Sequence, residues 1–292
     1  MLRDISGWIK KLAGSSEQPP SGTGAQFDEY VNSAPSNQNA IDCVPGWNHA
    51  LPPQTGVTAG KAFLYNDPRI IWAIEQFGSI ENCNILELGP LEASHTYLID
   101  KHNPKNIDAV EANRLAYLRC LIAKEILELK HAKFYLGNFV PWLENSDRRY
   151  DFIFMSGVLY HMHDPVRSLE LVASRTDAFY LWTHYFDEEA LPLSDPRRKA
   201  FLENTRTQNY RGIEIHLHER SYHNAWKDKA FCGGIFDQHY WMEKAELLNL
   251  IEALGFDDIR IAHDDPQHQS GPSLSIFARR SGDKSEKNEE RK

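Results

Sequence analysis

Cysteine is scarce in this chain: four in 292 residues, Cys43, Cys83, Cys120 and Cys232, with no CxxC pair and no metal-type spacing. That argues against a disulfide scaffold or a cysteine-built metal centre, and a reduced, cytoplasmic setting is expected. Basic residues are outnumbered, 32 Lys and Arg against 41 Asp and Glu, for a formal net charge of −9. Such a balance opposes nonspecific capture of nucleic-acid phosphates, leaves a local basic patch as the route to such a partner, and favours a small-molecule partner. Long apolar runs are missing as well. No stretch approaches the roughly 20 apolar residues of a spanning helix, and Met1 to Lys11 carries Arg3, Asp4, Lys10 and Lys11, so neither secretion nor membrane spanning is expected.

What is present suffices for a sizeable core: 41% hydrophobic and 11% aromatic residues exclude a wholly disordered or collagen-like chain. Residues 1–40 read as a flexible leader, because Gly14 to Asn39 is rich in Ser, Gly, Pro, Gln and Asn without an apolar period. Residues 41–83 are expected to flank the site, first as an ordered loop over Cys43 to Lys61 and then as a helix over Ala62 to Phe77, interrupted near Pro68. From Asn84 the period alternates. Strands are expected at Asn84 to Leu88, Ile107 to Val110, Lys133 to Leu136, Asp151 to Met155 and Ala178 to Thr183, and later at Ile259 to Ala262 and Leu274 to Ala278.

Between these strands run amphipathic helical segments, Leu115, Leu118, Ile122 and Ile126 being the clearest stripe. The pattern predicts an α/β domain over 84–280, a seven-stranded, mostly parallel Rossmann-like sheet with helices on both faces. Residues 186–240 are too long for an ordinary connection and are expected to form an inserted cap, with one short strand at Ile213 to His218. The polar stretch 281–292 is expected to be a disordered charged tail.

Ligands of such sheets bind beyond the strand C-termini, so the residues there carry the functional argument. Glu87 and Gly89 end the first strand: glycine lets a ligand approach the backbone, and the acid either attracts a cationic group or pairs with a base. Glu111 ends the second strand, 22 residues after Gly89, where a carboxylate can accept both hydroxyls of a ribose or serve a helix N-terminus. Asn138 and Phe139 follow the third strand and offer either an amide and a ring for adenine or an Asx turn with a core aromatic. Gly157 follows the fourth.

The run Glu87-Leu-Gly89-Pro-Leu-Glu-Ala93, with Glu111, Asn138 and the segment Tyr150 to His161, resembles the class I S-adenosylmethionine-dependent methyltransferases over roughly Asn84 to Arg279. Leu91 and Ala93 stand where glycine is common in that family. The resemblance implies S-adenosyl-L-methionine as cofactor, with Glu87 and Gly89 beside the methionine part, Glu111 on the ribose, Asn138 and Phe139 near adenine, and Gly157 and Leu159 bordering the cofactor. Gly157-Val-Leu-Tyr-His161 with Asp164-Pro165 is similar to small-molecule methyltransferases and to enzymes that install carboxymethyl groups on tRNA wobble uridine.

A methyl sulfonium is already activated, so an enzyme of this kind mainly positions the nucleophile and removes a proton. Tyr160 and His161 after the fourth strand, and His184 and Tyr185 after the fifth, are the catalytic candidates, each histidine having a purely structural hydrogen-bonding role as its alternative. His216 and His218 fall on one strand face and, with Glu219, His223, Asp237 or His239, form no compact metal signature, so no metal is expected. The segment Phe231 to Met242 is a candidate lid, in which Gly233 and Gly234 permit a turn and Tyr240 and Trp241 either cover an apolar or planar substrate or pack the cap onto the core, the latter being favoured for Trp241.

The expected activity is methyl transfer to an oxygen or nitrogen of a small or medium metabolite. Alkyl transfer to tRNA is the alternative, and it demands a contiguous basic face, which Arg197-Arg198-Lys199 is too short to supply. A catalytically inactive nucleoside-binding or assembly protein is the other, and it demands a blocked channel. A nicotinamide dehydrogenase fits less well, because Leu91 and Ala93 break the glycine spacing of a pyrophosphate loop. Oligomeric state is not legible in the sequence.

Overall fold

A computed structural model describes residues 30–281 of the chain. Two helices precede the sheet: α1 (Asn37–Cys43), capped by Ser36, and α2 (Pro68–Phe77), capped by Asp67. Pro68 does not interrupt a longer helix. It starts one, because the first helical position needs no N–H, and the Asp67 carboxylate accepts the Arg69 amide at 2.9 Å. α1 begins inside the stretch expected to be a flexible leader, while most of that leader and residues 282–292 of the expected tail lie outside the described residues.

The alternating segment then runs β1 (Asn84–Leu88), α3 (Ser94–Asp100), β2 (Asn106–Glu111), α4 (Arg114–Leu127), β3 (Ala132–Leu136), α5 (Phe139–Glu144), β4 (Phe152–Ser156), α6 (Pro165–Arg175) and β5 (Ala178–His184). After the cap come α7 (Lys244–Ala253), β9 (Asp258–Asp265) and β10 (Ser273–Arg279). The seven strands lie in the order β3-β2-β1-β4-β5-β10-β9. β1 to β5 pair in parallel, and β10 inserts antiparallel between β5 and β9. The chain leaves β1 toward β2 on one side and returns as β4 on the other, which opens a crevice beyond the ends of β1 and β4.

The two-residue period of the strands splits the core in two. Leu86, Leu88, Ile153, Met155, Leu181 and Ile276 pack against the α6 and α7 side, and Ile85, Ile107, Phe152, Phe154 and Phe277 against residues of α2, α3 and α4. Each fully buried side chain of this size contributes about 1.5–3 kcal/mol, so both layers anchor the strand ends. Those ends carry capping side chains: Asn113 accepts the Leu115 and Ala116 amides, Asn138 the Val140 amide and Asp164 the Arg167 amide.

The insertion contains a three-stranded antiparallel sheet, β6 (Phe201–Tyr210), β7 (Ile213–Arg220) and β8 (His239–Met242), rather than one short strand. β6 and β7 form a hairpin through Arg211 and Gly212, both left-handed at φ 50° and 91°. The last strand runs two residues past the expected cap boundary. The Tyr240 amide donates to the Met162 carbonyl at 3.1 Å, fixing the cap to the loop after β4.

Candidate active site

Beyond β1 the backbone takes an uncommon course. Gly89, Leu91 and Ala93 all have left-handed φ, at 65°, 54° and 61°, although only the first is glycine. Left-handed backbone costs a non-glycine residue about 1–2 kcal/mol, so the surroundings must impose it. The Leu91 amide donates to Glu111 Oε2 at 3.0 Å, the Ala93 amide to the Pro90 carbonyl at 2.9 Å, and the Cys120 thiol meets the Leu91 carbonyl. Between the two strained residues, the Glu92 carboxylate is wholly buried and bonded to the amides of Asn48 and His49 and to Arg119. The Gly89 amide donates to the Val110 carbonyl at 3.0 Å, so the amides of all three left-handed residues are held within the protein and the course of the loop is fixed without a ligand. A Cβ on Gly89 would stand 2.9 Å from Val158 Cγ2, which explains the glycine there.

This loop forms one wall of a cavity of about 560 Å³. Gly89, Glu111, Asn138, Phe139, Gly157, Tyr160 and His161 all line it. Glu111 sits at the crevice with Oε1 on the Asn113 amide at 2.8 Å and Oε2 on Leu91. Burial raises its carboxyl above the usual range, while the amides of Asn113 and Leu91 pull the other way. Asn138 uses Oδ1 for its helix cap, which leaves its amide NH₂ for the cavity side. Phe139, Val158 and Met162 give this end an apolar lining, with Ile235 and Phe236 of the cap at the same cavity.

The other end is polar. Asp67 binds Arg69 and, at 2.9 Å, His95 Nε2, and Arg69 stacks at 4.4 Å over Trp182. Burial alone would raise the Asp67 carboxyl, but the bonds from His95 and Arg69 hold it well below the usual range. His49 meets Ser94 Oγ at 3.1 Å, and burial lowers its imidazole to about 4, so it is neutral near pH 7. His161 Nδ1 lies 2.6 Å from Tyr222 Oη, which also accepts the Gly234 amide at 2.8 Å. Burial first, then the neighbouring His239 and His184, keeps His161 neutral far below pH 6.5. Tyr160 lies beside it, and burial pushes its phenol up, so it stays an O–H.

Four expected site residues do not line the cavity. Glu87 lies beneath the loop, where it accepts the Thr96 hydroxyl at 2.6 Å. Leu159 belongs to the core, within a single tight helical turn, Leu159–His161. His184 is covered by Trp241, stacked at 4.8 Å, and its Nδ1 donates to the carbonyls of Gly271 and Pro272. Tyr185 is buried and donates to Asp264. Of the candidate lid, Gly233 and Gly234 line the cavity, whereas Tyr240 and Trp241 are buried in the cap, Trp241 in the packing role favoured for it. His216 pairs with Glu246 and His218 with Glu243, away from the cavity, while Glu219 faces the opposite side of β7.

Arg69, Ser94, His95, Trp182 and Tyr222 carried no sequence signal. They reach the site through α2, the start of α3, the end of β5 and the cap, and no motif spans those segments. His49 was legible only as part of a loop able to wall a pocket.

No family model and no curated protein matches the chain. Among solved structures, the N-terminal domain of EvdMO1 with S-adenosylhomocysteine bound matches with a TM-score of 0.61 at 20% identity, over 84% of this chain and 94% of that one. The same domain in the presence of S-adenosylhomocysteine and D-fucose gives 0.60 at equal identity and coverage. An S-adenosylmethionine-dependent methyltransferase from Clostridium acetobutylicum ATCC 824 matches with 0.50 at 10% identity, over 76% of this chain and 93% of that one.

Proposed function

The chain has the Rossmann-like fold of the class I S-adenosylmethionine-dependent methyltransferases, and we propose that it transfers a methyl group from S-adenosylmethionine to an oxygen or nitrogen of a small metabolite. The observation that carries this is the Gly89–Ala93 loop, which keeps a left-handed backbone at three alternate positions although two are not glycine, and which is bonded through Leu91 to Glu111 across the sheet's switch point. A glycine-poor loop held in that course, at a cavity of this size, fits an adenosyl ligand.

Glu111 would hold the ribose hydroxyls, Asn138 and Phe139 the adenine, and the backbone at Gly89 and Gly157 the methionine portion. When bound, S-adenosylmethionine supplies a methyl carbon on a positively charged sulfur, already activated for displacement. The protein's own work is then positioning and proton transfer. Neutral His161, oriented by Tyr222, accepts the proton of the acceptor hydroxyl or amine, and Tyr160 shapes the space beside it. His49 on one side and Phe231 to Phe236 on the other exclude water.

Arg69, His95, Ser94 and Trp182 combine hydrogen-bonding groups with an aromatic face, a lining suited to a hydroxylated acceptor. The D-fucose named with the EvdMO1 domain makes a sugar of that size the first acceptor to test. A tRNA acceptor is disfavoured, because Arg197 and Arg198 are taken up by Asp195 and Glu188. Four unpaired cysteines agree with a cytoplasmic, reducing location as part of the same proposal. Calorimetry with S-adenosylmethionine, S-adenosylhomocysteine and NAD is the test: binding of the first two and not the third is expected, and binding of NAD alone would overturn the assignment.

A further inference from the structure

A deeply buried and many-bonded charged pair lies outside the cavity lining. Glu92 and Arg119 are 0% and 1% exposed, and they join at 3.1 Å through Oε1 and Nη1. An ion pair this deeply buried gains its place only if the remaining polar atoms also find partners. Here Arg119 Nε has no partner among the described residues, and the other atoms find theirs in two segments far apart in sequence. The Glu92 carboxylate receives the amides of Asn48, at 2.9 Å, and His49, at 2.7 Å. Arg119 Nη2 donates to the Pro45 carbonyl at 2.6 Å and to the Lys229 carbonyl at 2.9 Å. The Asn48 side chain adds a bond to the Ala230 carbonyl at 3.0 Å.

The two segments also touch. Gly46 has φ +80°, and a Cβ there would stand 2.6 Å from the Lys229 carbonyl oxygen and 2.8 Å from Arg119 Nη2. One residue after Asn48 comes His49, and two after Lys229 comes Phe231, both cavity-lining. The near end of each wall therefore hangs from the same pair, and Glu92 is itself part of the strained loop that lines the cavity.

We infer that Glu92 and Arg119 act as a latch, coupling the loop after β1 to the 45–49 and 229–234 walls so that both walls open and close over the cavity as one unit. They are positioning residues, acting through the backbone groups they hold. Arg119 is suited to this because its planar fork serves a carboxylate with one nitrogen and two carbonyls with the other.

The test uses the full chain as wild type, Arg119→Met, Glu92→Gln and Gly46→Ala. The last wedges the walls apart and leaves the charged pair chemically intact. Hydrogen exchange of the ligand-free protein should show amides of 46–51 and 229–236 opening together and by a similar factor in every variant, with β1 and β4 unchanged. Stopped-flow release of S-adenosylhomocysteine should accelerate about tenfold in each. Faster exchange in one wall alone, or unaltered exchange in both, would overturn the latch, as would general loosening of β1 and β4 in Gly46→Ala. The exchange readout stands apart from the adenosyl-binding proposal on which the release readout rests: a wild type that binds no S-adenosylhomocysteine refutes that proposal and leaves the latch to be decided by exchange.

Discussion

Replacing Glu87 by glutamine should make the protein more stable above neutral pH and leave it little changed in mild acid. Glu87 is buried on β1 and accepts the Thr96 hydroxyl at 2.6 Å, its one side-chain partner among the described residues. Burial, reinforced by the nearby Glu111, pushes its carboxyl up from 4.5 to about 7 against the opposing Thr96 bond. The folded state therefore prefers the protonated acid. The stability this gives is complete below about pH 4.5, declines as pH rises toward about 7, and is absent above it. An interval of about 2.5 pH units at roughly 1.4 kcal/mol each amounts to about 3.5 kcal/mol.

Glutamine stays neutral throughout and can still accept the Thr96 hydroxyl, while its extra N–H adds an offset that does not vary with pH. Urea unfolding of both proteins from about pH 5 to about pH 8.5 reads the difference directly. His49, His184 and His239, each lowered by burial to about 4, act with the opposite sign, losing stability as pH falls below 6.5. They are present in both proteins and cancel. A stability difference that stays flat over this range would refute an ionisable Glu87 held neutral by its surroundings.

Gly89→Ala should lose about 1–2 kcal/mol from the left-handed backbone alone, plus the cost of the 2.9 Å approach to Val158; an unchanged melting temperature would contradict the strained-loop account. Glu111→Ala should weaken S-adenosylhomocysteine at least about tenfold, since a lost hydrogen bond to a charged group is worth about 1.5–3 kcal/mol, and equal affinity in calorimetry would remove Glu111 from the ribose site. With an acceptor in hand, His161→Asn should slow turnover by about 100- to 10,000-fold while S-adenosylhomocysteine binding persists. Wild-type turnover in that variant would leave His161 a structural role.

The order of elements was legible because the central strands are short apolar runs buried on both faces, while the helices between them bury one. Ile85, Leu86 and Leu88, or Leu115, Leu118 and Ile122, announce their periods locally, and the acids and glycines fall where those periods stop. Glu111, Asn138, Gly157 and His161 follow from such stops. β6 gave no such signal: FLENTRTQNY is polar on both faces and mostly exposed, and only pairing with β7 makes it a strand. Nothing in leucine or alanine favours left-handed backbone, so the course of Leu91 and Ala93 depends on Glu111 and the groups around Glu92.

The same division holds for the histidines. Sequence places His161 and His184 after adjacent strands and treats them alike. Tertiary contacts separate them, turning one to the cavity beside Tyr222 and sealing the other under Trp241 with its Nδ1 on backbone carbonyls. By itself, the sequence determined the sheet, its helices and where a ligand would meet strand ends, since those depend on periods of a few residues. Which side chains face that ligand, and what walls it in, depends on contacts between segments 20 to 182 residues apart in sequence, and only the folded chain brings them together.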